Sequence, residues 1–312
     1  MEKYKKKKNV RAELKPFLKW AGGKKQLINE IVNRIPEKII EKKNIVYIEP
    51  FVGSGAVLFQ MFNQFKDSIN KAVISDINKN LINTYTAVKD SLPELMEELE
   101  ELKIRFSVLE NEIEKRKFYL DKREEFNEFI LSQTRKAALF IFLNRTCYNG
   151  LYRENSAGKF NVPFGSYKKP QIYNRELLER VNKVLQYVEI RNIQYEETIK
   201  YLGVERAVFY LDPPYKPISK TASFNAYTKY SFNDYEQERL KKFCDTITKL
   251  GHYFILSNSD LRNVDINNNY FDNLYNDYTI NRIKARRSIN SKADKRGEIN
   301  ELIITNEKRL KF

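Results

Sequence analysis

The sequence predicts an α/β fold: an open, largely parallel sheet carrying a mainly helical insertion. Three observations carry that expectation. Short apolar, β-rich runs at Ile45–Glu49, 72–75, Val188–Arg191, Ala207–Leu211 and 253–257 are mostly followed by turn residues and helix-like patterns, as when helical crossovers join parallel strands. The segment 77–187 breaks the alternation. Two last strand-like runs, 275–283 and Glu298–Thr305, flank a basic loop containing Gly297 and predict an antiparallel hairpin at the sheet's edge.

In chain order, residues 1–12 read as a flexible basic tail in which positions 5–8 are all lysine. Gly22-Gly23-Lys24-Lys25 superficially suggests a phosphate-binding P-loop. Leu18 stands where its first glycine belongs and Lys25 replaces Ser or Thr, so nucleoside triphosphate hydrolysis is not supported. Trp20 and Lys24 still place an aromatic and a cation close together around a glycine turn.

Ile48-Glu49-Pro50-Phe51-Val52-Gly53-Ser54-Gly55 runs from a buried strand into a loop whose two glycines let backbone approach a ligand. A helix-like stretch follows. Asp76 comes 21 residues after Gly55, at the end of the next expected strand, where an acid can accept both hydroxyls of a ribose. The third glycine of the dinucleotide fingerprint is missing, because position 58 is Leu. A nucleoside without phosphates therefore fits better than a pyrophosphate, and S-adenosylmethionine is such a molecule.

Within the insertion, Leu95, Leu99, Leu102, Phe106, Leu109 and Ile113 repeat at 4-3-4-3-4 spacing and predict one amphipathic helix packed on its own domain. Between 144 and 169 the chain mixes Asn144, Arg145, Tyr148, Asn149, Leu151, Tyr152 and Arg153 with Phe160, Asn161, Pro163, Phe164 and Gly165. These are residue types that read base edges or wedge into a base stack. They equally suit an aromatic hairpin packed on helices.

Asp212-Pro213-Pro214-Tyr215 is the sharpest signal. It closes the run Val208-Phe209-Tyr210-Leu211, and its two prolines remove two backbone donors while fixing φ. What remains is a rigid set of acceptors, the Asp212 carboxylate and the Pro213 carbonyl, beside the Tyr215 ring. Such a set suits a planar amino group rather than a phosphate. By accepting both amino hydrogens it shifts electron density toward a nitrogen lone pair, which can then attack an electrophilic methyl. The strand's carboxyl end is where open α/β sheets bind ligands.

Composition limits the alternatives. With 312 residues and 42% hydrophobic residues the chain has room for one large domain plus an insertion. It contains no run of 18 apolar residues and no apolar stretch behind the basic start, so neither a membrane span nor a secretory signal is expected; the expected location is cytoplasmic, and nucleoid-associated if bacterial. Cys147 and Cys244 give no disulfide framework, and His252 is the single histidine. Neither cysteine neighbours a proline, as a cytosine ring-carbon methyltransferase would usually require, and the His/Cys set of a zinc deaminase is absent. The formal charge is +15, with ten Lys/Arg against two acids in 1–25, seven against one in 282–297, and twelve acids against seven bases in 94–128. Basic blocks separated by an acidic one suggest a field directed at a polyanion such as nucleic acid.

Taken in order, seven blocks resemble the Dam-type DNA adenine-N6 methyltransferases of the D12 class, which include GATC-modifying enzymes. They are Phe17-Leu18-Lys19-Trp20-Ala21-Gly22-Gly23-Lys24, the Glu49 to Gly55 loop, Ser75-Asp76-Ile77-Asn78, Tyr148-Asn149-Gly150-Leu151, Phe160-Asn161-Val162-Pro163-Phe164-Gly165, Asp212-Pro213-Pro214-Tyr215 and Arg286-Arg287-Ser288-Ile289. The resemblance spans most of the chain and is weakest over 94–131. It implies a Rossmann-like methyltransferase sheet with a reversed final hairpin. Residues 13–86 and 172–312 would form the catalytic domain, and 87–171 a target-recognition domain with its own β-hairpin.

It further implies that Trp20, Lys24, Asp76 and Asp212 hold S-adenosylmethionine, with Glu49, Phe51, Gly53 and Gly55 lining its loop, S-adenosylhomocysteine as product and no metal. Asp212, Pro213, Pro214 and Tyr215 would be catalytic. Tyr148 and Asn149 would fill the gap left by a flipped adenine, and Lys19, Leu151, Arg153 and Pro163 would read GATC in duplex DNA. Arg286 and Arg287 would grip phosphates. A monomer is expected, free of membranes, and a cognate restriction endonuclease would be a separate protein. The rival expectations are cytosine amino-group methylation and a non-catalytic DNA-binding relative.

Overall fold

In the computed structural model, which describes residues 13–20, 22, 24, 27–128, 130–216, 232–286 and 298–310, the apolar runs pair into one sheet. Helices α1 (Ile28–Val32) and α2 (Glu37–Ile40) precede β1 (Ile45–Glu49), followed by α3 (Ala56–Phe65), β2 (Ile69–Ser75) and α4 (Lys79–Asp90). Then come α5 (Leu92–Ser107), α6 (Glu112–Phe126), α7 (Gln133–Thr146) and α8 (Arg175–Leu185). The chain returns to β3 (Val188–Arg191) and β4 (Ala207–Leu211), and continues through α9 (Asp234–Lys249), β5 (Tyr253–Ser259), α10 (Tyr270–Leu274), β6 (Thr279–Arg286) and β7 (Glu298–Thr305).

The strand order is β3-β2-β1-β4-β5-β7-β6. The first five strands run parallel, and β7 enters antiparallel between β5 and β6. This is the Rossmann-like sheet with a reversed final hairpin that the sequence predicts. Every residue of β1 and β4 is buried, because both faces of the sheet are covered. Tyr47 packs into the core beneath α3 and α4, while Val46 and Ile48 face the opposite core with Leu240, Phe243 and Ile247 of α9. The order of connection reverses between β1 and β4, so their carboxyl ends open a crevice of the kind that binds ligands.

The helical insertion is a bundle around α7, whose residues from Ala137 to Asn144 are all buried. Part of its acidic excess is paired internally. Arg135 on α7 pairs with Glu98 at 2.6 Å, Glu101 at 3.0 Å and Glu125 at 2.6 Å, tying α5, α6 and α7 together.

Two expectations are corrected. The heptad-like stripe is not one helix: α5 ends at Ser107, and Asn111 caps a new helix by accepting the Glu114 N–H at 2.9 Å. The restart shifts the phase, so Leu95, Leu99, Leu102 and Phe106 are buried while Ile113 is 82% exposed. The strand expected from 275 begins at Thr279 instead. Tyr275 and Tyr278 are buried, but they belong to the turn that follows α10.

His252 is structural. It is buried, and its Nδ1 accepts the Ala207 N–H at 3.1 Å; burial, then the neighbouring Arg206, holds its pKa down. Among the described residues no helix is long and apolar enough to cross a membrane.

Candidate active site

The crevice is built from three strand ends. After β1 the chain turns through Gly53, at φ +49°, and Gly55, at φ +70°, before entering α3. Glycine is required at both for more than backbone freedom. A Cβ on Gly53 would lie 2.8 Å from Cδ1 of Trp20, and one on Gly55 would lie 2.7 Å from the Tyr85 hydroxyl. That hydroxyl donates to the Gly53 carbonyl at 3.1 Å and fixes the loop from below.

Asp76, just past β2, accepts N–H groups from Asn78 at 2.9 Å and Gly53 at 3.3 Å. Burial pushes its pKa up to about 6, and these N–H groups limit the rise. The indole of Trp20 stacks on Tyr152 at 5.7 Å and on Phe140 at 6.3 Å. Phe51 lies instead among Tyr195, at 5.2 Å, and Phe232, at 6.3 Å. A glycine cradle against an indole, with a carboxylate at the adjoining strand end, fits a nucleoside-bearing cofactor: a planar ring system and a diol.

At the switch point stands a cluster of charge. Asp212, following β4, accepts from the Ser257 hydroxyl at 2.8 Å, and the Lys24 ammonium lies 3.1 Å from the same oxygen. Lys24 is only 5% exposed. It also lies 3.7 Å from the Glu301 carboxylate and 4.0 Å from the centre of the Tyr215 ring, and it donates to the Tyr215 hydroxyl. Tyr215 in turn donates to Glu301 at 2.8 Å. Burial raises the Asp212 pKa, and Lys24 opposes the rise. Behind them Glu49 is buried and accepts the Tyr47 hydroxyl at 2.6 Å; burial, reinforced by Asp212, pushes its pKa up to about 8. Burial and the nearby carboxylates keep Tyr215 a neutral phenol.

The third part is a β-hairpin between α7 and α8, closed by antiparallel bridges between Cys147 and Phe164 and between Glu154 and Phe160. Tyr152, Phe160 and Phe164 pack inward on the helices. Tyr148, Asn149, Arg153 and Pro163 are exposed, and Leu151 is half-buried. Asn149 adopts φ +54°, a left-handed turn that asparagine tolerates. The Tyr148 N–H donates to the Pro163 carbonyl at 2.9 Å, and the Arg153 guanidinium is aimed by Asn161 at 2.8 Å. Lys19 lies at the root of this hairpin: a Cβ on Gly150 would sit 2.5 Å from Cβ of Lys19. The packed aromatic hairpin is present, with Tyr152, Phe160 and Phe164 inward and Tyr148, Asn149, Arg153 and Pro163 at the surface.

Sequence reasoning missed two residues. Asn144 was grouped with residue types that read bases, but it is buried and does something else. Its amide accepts the Lys19 N–H at 2.8 Å and donates to the carbonyls of Lys19, at 2.7 Å, and Gly150, at 3.2 Å. It thereby locks the segment carrying Trp20 onto the hairpin. Asn144→Leu would leave three backbone groups without their partner. The expected loss is about 3 kcal/mol of stability, read from denaturant unfolding, together with a raised KM for nucleic acid. A loss below about 1 kcal/mol would show that other groups carry this junction.

Glu301 was missed for a topological reason. Parallel strands deliver their ends to the crevice, and reasoning looks there for function. The antiparallel β7 delivers its beginning, where Glu301 pairs with Ser259 of β5 and Ile283 of β6.

Of the predicted residues, Trp20, Gly53, Gly55 and Asp76 meet on one side of the crevice, and Lys24, Glu49, Asp212 and Tyr215 at its centre. Lys19, Tyr148, Asn149, Leu151, Arg153 and Pro163 cluster on or at the hairpin. Phe51 faces the aromatic group beyond. Pro213 and Pro214 continue the chain from Asp212, with Pro213 buried. Arg286 ends β6, but its side chain lies outside the described residues, as do Arg287 and the basic tail 1–12. Both cysteines are buried and free; burial raises the thiol pKa of Cys147 to about 12 and that of Cys244 well above its usual value, so neither supplies a thiolate.

The model of the D12 class N6 adenine-specific DNA methyltransferase family matches residues 20–289. The chain is 45% identical over 297 residues to the Type II methyltransferase M.MjaIII of Methanocaldococcus jannaschii, covering 94% of this chain and 99% of that protein. It is 35% identical over 298 residues to the Type II methyltransferase M1.LlaDCHI of Lactococcus lactis subsp. cremoris, covering 94% and 95%. It is 34% identical over 292 residues to the DNA adenine methylase of Escherichia coli strain K12, covering 92% and 93%.

Proposed function

This chain belongs to the D12 class of N6 adenine-specific DNA methyltransferases, and from that premise we propose that it methylates adenine within GATC in duplex DNA after turning the base out of the helix. The observation that carries the proposal is the junction at Lys19 and Trp20. One of these neighbours roots the hairpin and the other walls the glycine cradle, so target reading and methyl donation meet at one point.

S-adenosylmethionine, held by Trp20, Lys24, Asp76 and Asp212 beside the loop of Glu49, Phe51, Gly53 and Gly55, supplies an electrophilic methyl group on a sulfonium. The chain's own residues do the rest. Lys19, Leu151, Arg153 and Pro163 read the site within a recognition domain comprising 87–171. Tyr148 and Asn149 occupy the space that the extruded adenine leaves, at an unstacking cost of about a few kcal/mol. Tyr215 stacks on the base, while Asp212 and the Pro213 carbonyl accept from its amino group. The nitrogen gains a methyl and gives up one proton, which passes by way of Asp212 to solvent; it becomes acidic only as the new bond forms, so Asp212 need not be a strong base. Neither thiol nor histidine takes part.

The enzyme acts as a cytoplasmic monomer, and a cognate restriction endonuclease would be a separate protein. The test is methylation of a random-sequence duplex library, read at single-base resolution. GATC adenines are expected to carry the label. Equal labelling of duplexes with and without GATC would overturn the assigned site while leaving adenine methylation intact.

A further inference from the structure

Lys24 stands between two carboxylates that have different duties. Its ammonium lies 3.1 Å from Asp212 and 3.7 Å from Glu301, and 4.0 Å from the centre of the Tyr215 ring. On the reading given above, the target's amino group must bond to Asp212 and its ring must lie against Tyr215. The ammonium already stands at both in this structure. It has the charge and the N–H donors of an amino group. Ser257 and Lys24 meet the same oxygen of Asp212, so the amino group can approach the other, but a base laid against the Tyr215 ring meets the ammonium 4.0 Å from its centre and can settle there only if Lys24 moves away.

We propose that Glu301 is the positioning residue that makes this exchange possible: it takes over the Lys24 ammonium when the target amino group claims Asp212. Taking a buried ammonium from its only counter-charge is costly, because nothing else compensates its desolvation. Here a second carboxylate is already within reach. Coulomb attraction falls only as the inverse of distance, so at 3.1 Å and 3.7 Å the two attractions differ by about a fifth. Each carboxylate is held in place. Ser257 fixes Asp212 at 2.8 Å, and Tyr215 fixes Glu301 at 2.8 Å. The β7 backbone, paired on both sides, keeps Glu301 from following the cation. The groups around the ammonium are Asp212, Glu301 and Tyr215, with Glu49 behind Asp212.

The proposal rests on Asp212 being the acceptor for the amino group, and its test separates the two. Glu301→Gln in the full chain keeps size and a hydrogen-bond acceptor for Tyr215 but removes the charge. Two quantities are measured. One is kcat and KM on a GATC duplex. The other is the ratio of Kd values, with S-adenosylhomocysteine present, for duplexes carrying adenine or amino-free purine at the target. Wild type should prefer adenine. Glu301→Gln should lose about tenfold of that preference and about 10²-fold in kcat, with KM for DNA raised by no more than about tenfold, in step with the weaker Kd for the adenine duplex.

Glu301→Asp, which keeps the charge, should recover part of both. An unchanged kcat and ratio in Glu301→Gln overturns the hand-over. So does an equal loss in both variants accompanied by a lowered Tm, which would make Glu301 a residue of the fold. A wild-type protein that methylates DNA yet shows no preference for adenine over purine removes the reading of Asp212 itself, and with it this one.

Discussion

Replacing Asp212 by alanine is expected to lower kcat for methyl transfer by about 10³-fold or more while leaving DNA retention within about threefold of wild type. The size follows from what is removed. Asp212 is the one charged acceptor at the end of β4, it lies in a crevice where charge is poorly screened, and its oxygen is already aimed by Ser257 at 2.8 Å. Losing a single oriented group that meets developing charge costs about 10²-fold to 10³-fold in enzymes generally. Here the same substitution also removes one of the two carboxylates around Lys24 and leaves it Glu301 at 3.7 Å.

On the proposed reading, DNA retention rests on the hairpin and on phosphate contacts, the latter largely independent of sequence, and not on Asp212. Asp212→Asn should recover only part of the activity, because its amide keeps one acceptor oxygen but loses the charge and puts an NH2 donor where the second carboxylate oxygen was. Methyl-label transfer and a gel-shift titration on one duplex check both halves. Turnover within tenfold of wild type would remove Asp212 from the catalytic role.

How much of this was legible in the sequence depends on the physics behind each element. The strands β1, β3, β4 and β7 occur with the bounds their apolar runs suggest; β1 and β4 are buried on both faces, where few interruptions are tolerated, while β3 lies half-exposed at the sheet's edge. The paired helices α5 and α6 were read as one, since an apolar spacing of 3.5 residues carries no mark of where a cap restarts the count. Asn111 was the available signal, an N-cap type two residues before Ile113. The placement of Gly53, Gly55, Asp76 and Asp212 at one crevice was legible because it follows from the strand ends that carry them. Asn144 and Glu301 were not, because each acts on residues more than 75 positions away, Asn144 on Lys19 and Glu301 on Tyr215 and Lys24. Only the fold brings such partners together.

Lys19 and Trp20 are adjacent in the chain, and their side chains make different contacts. Trp20 goes to the stack formed by Tyr152 and Phe140, Lys19 to Gly150 and, at 4.3 Å, the Tyr167 ring. Burial and the nearby Arg145 lower the Lys19 pKa, a bias toward giving up its proton that an approaching phosphate or base acceptor would reverse. The segment thus touches the glycine cradle on one side and the hairpin on the other.

The affinity for S-adenosylmethionine should depend on pH through Asp76, and the sign can be worked out. In the free protein burial holds the Asp76 pKa at about 6, above its usual 3.8, so the contribution of the neutral acid to folding is present below 3.8 and lost as pH rises through about 6. Ribose hydroxyls are donors, and they bind the ionised carboxylate better than the acid. Binding therefore pulls the Asp76 pKa down and releases a proton whenever the free group holds one. Below pH 6 the apparent Kd should rise about tenfold per unit of falling pH until the pKa of the bound form is reached, and above pH 7 Asp76 should contribute no slope.

Asp76→Ala should weaken binding by about 3 kcal/mol, roughly a hundredfold, at pH 7.5, the value of two hydrogen bonds to a charged acceptor, and should flatten the acid limb. Calorimetry in two buffers of different ionisation enthalpy measures the released proton directly. Glu49, whose pKa of about 8 belongs to the same crevice, would add a separate inflection at higher pH, and Glu49→Gln removes that one alone. An acid limb that stays equally steep in Asp76→Ala would assign the titration to another group and take the ribose contact away from Asp76.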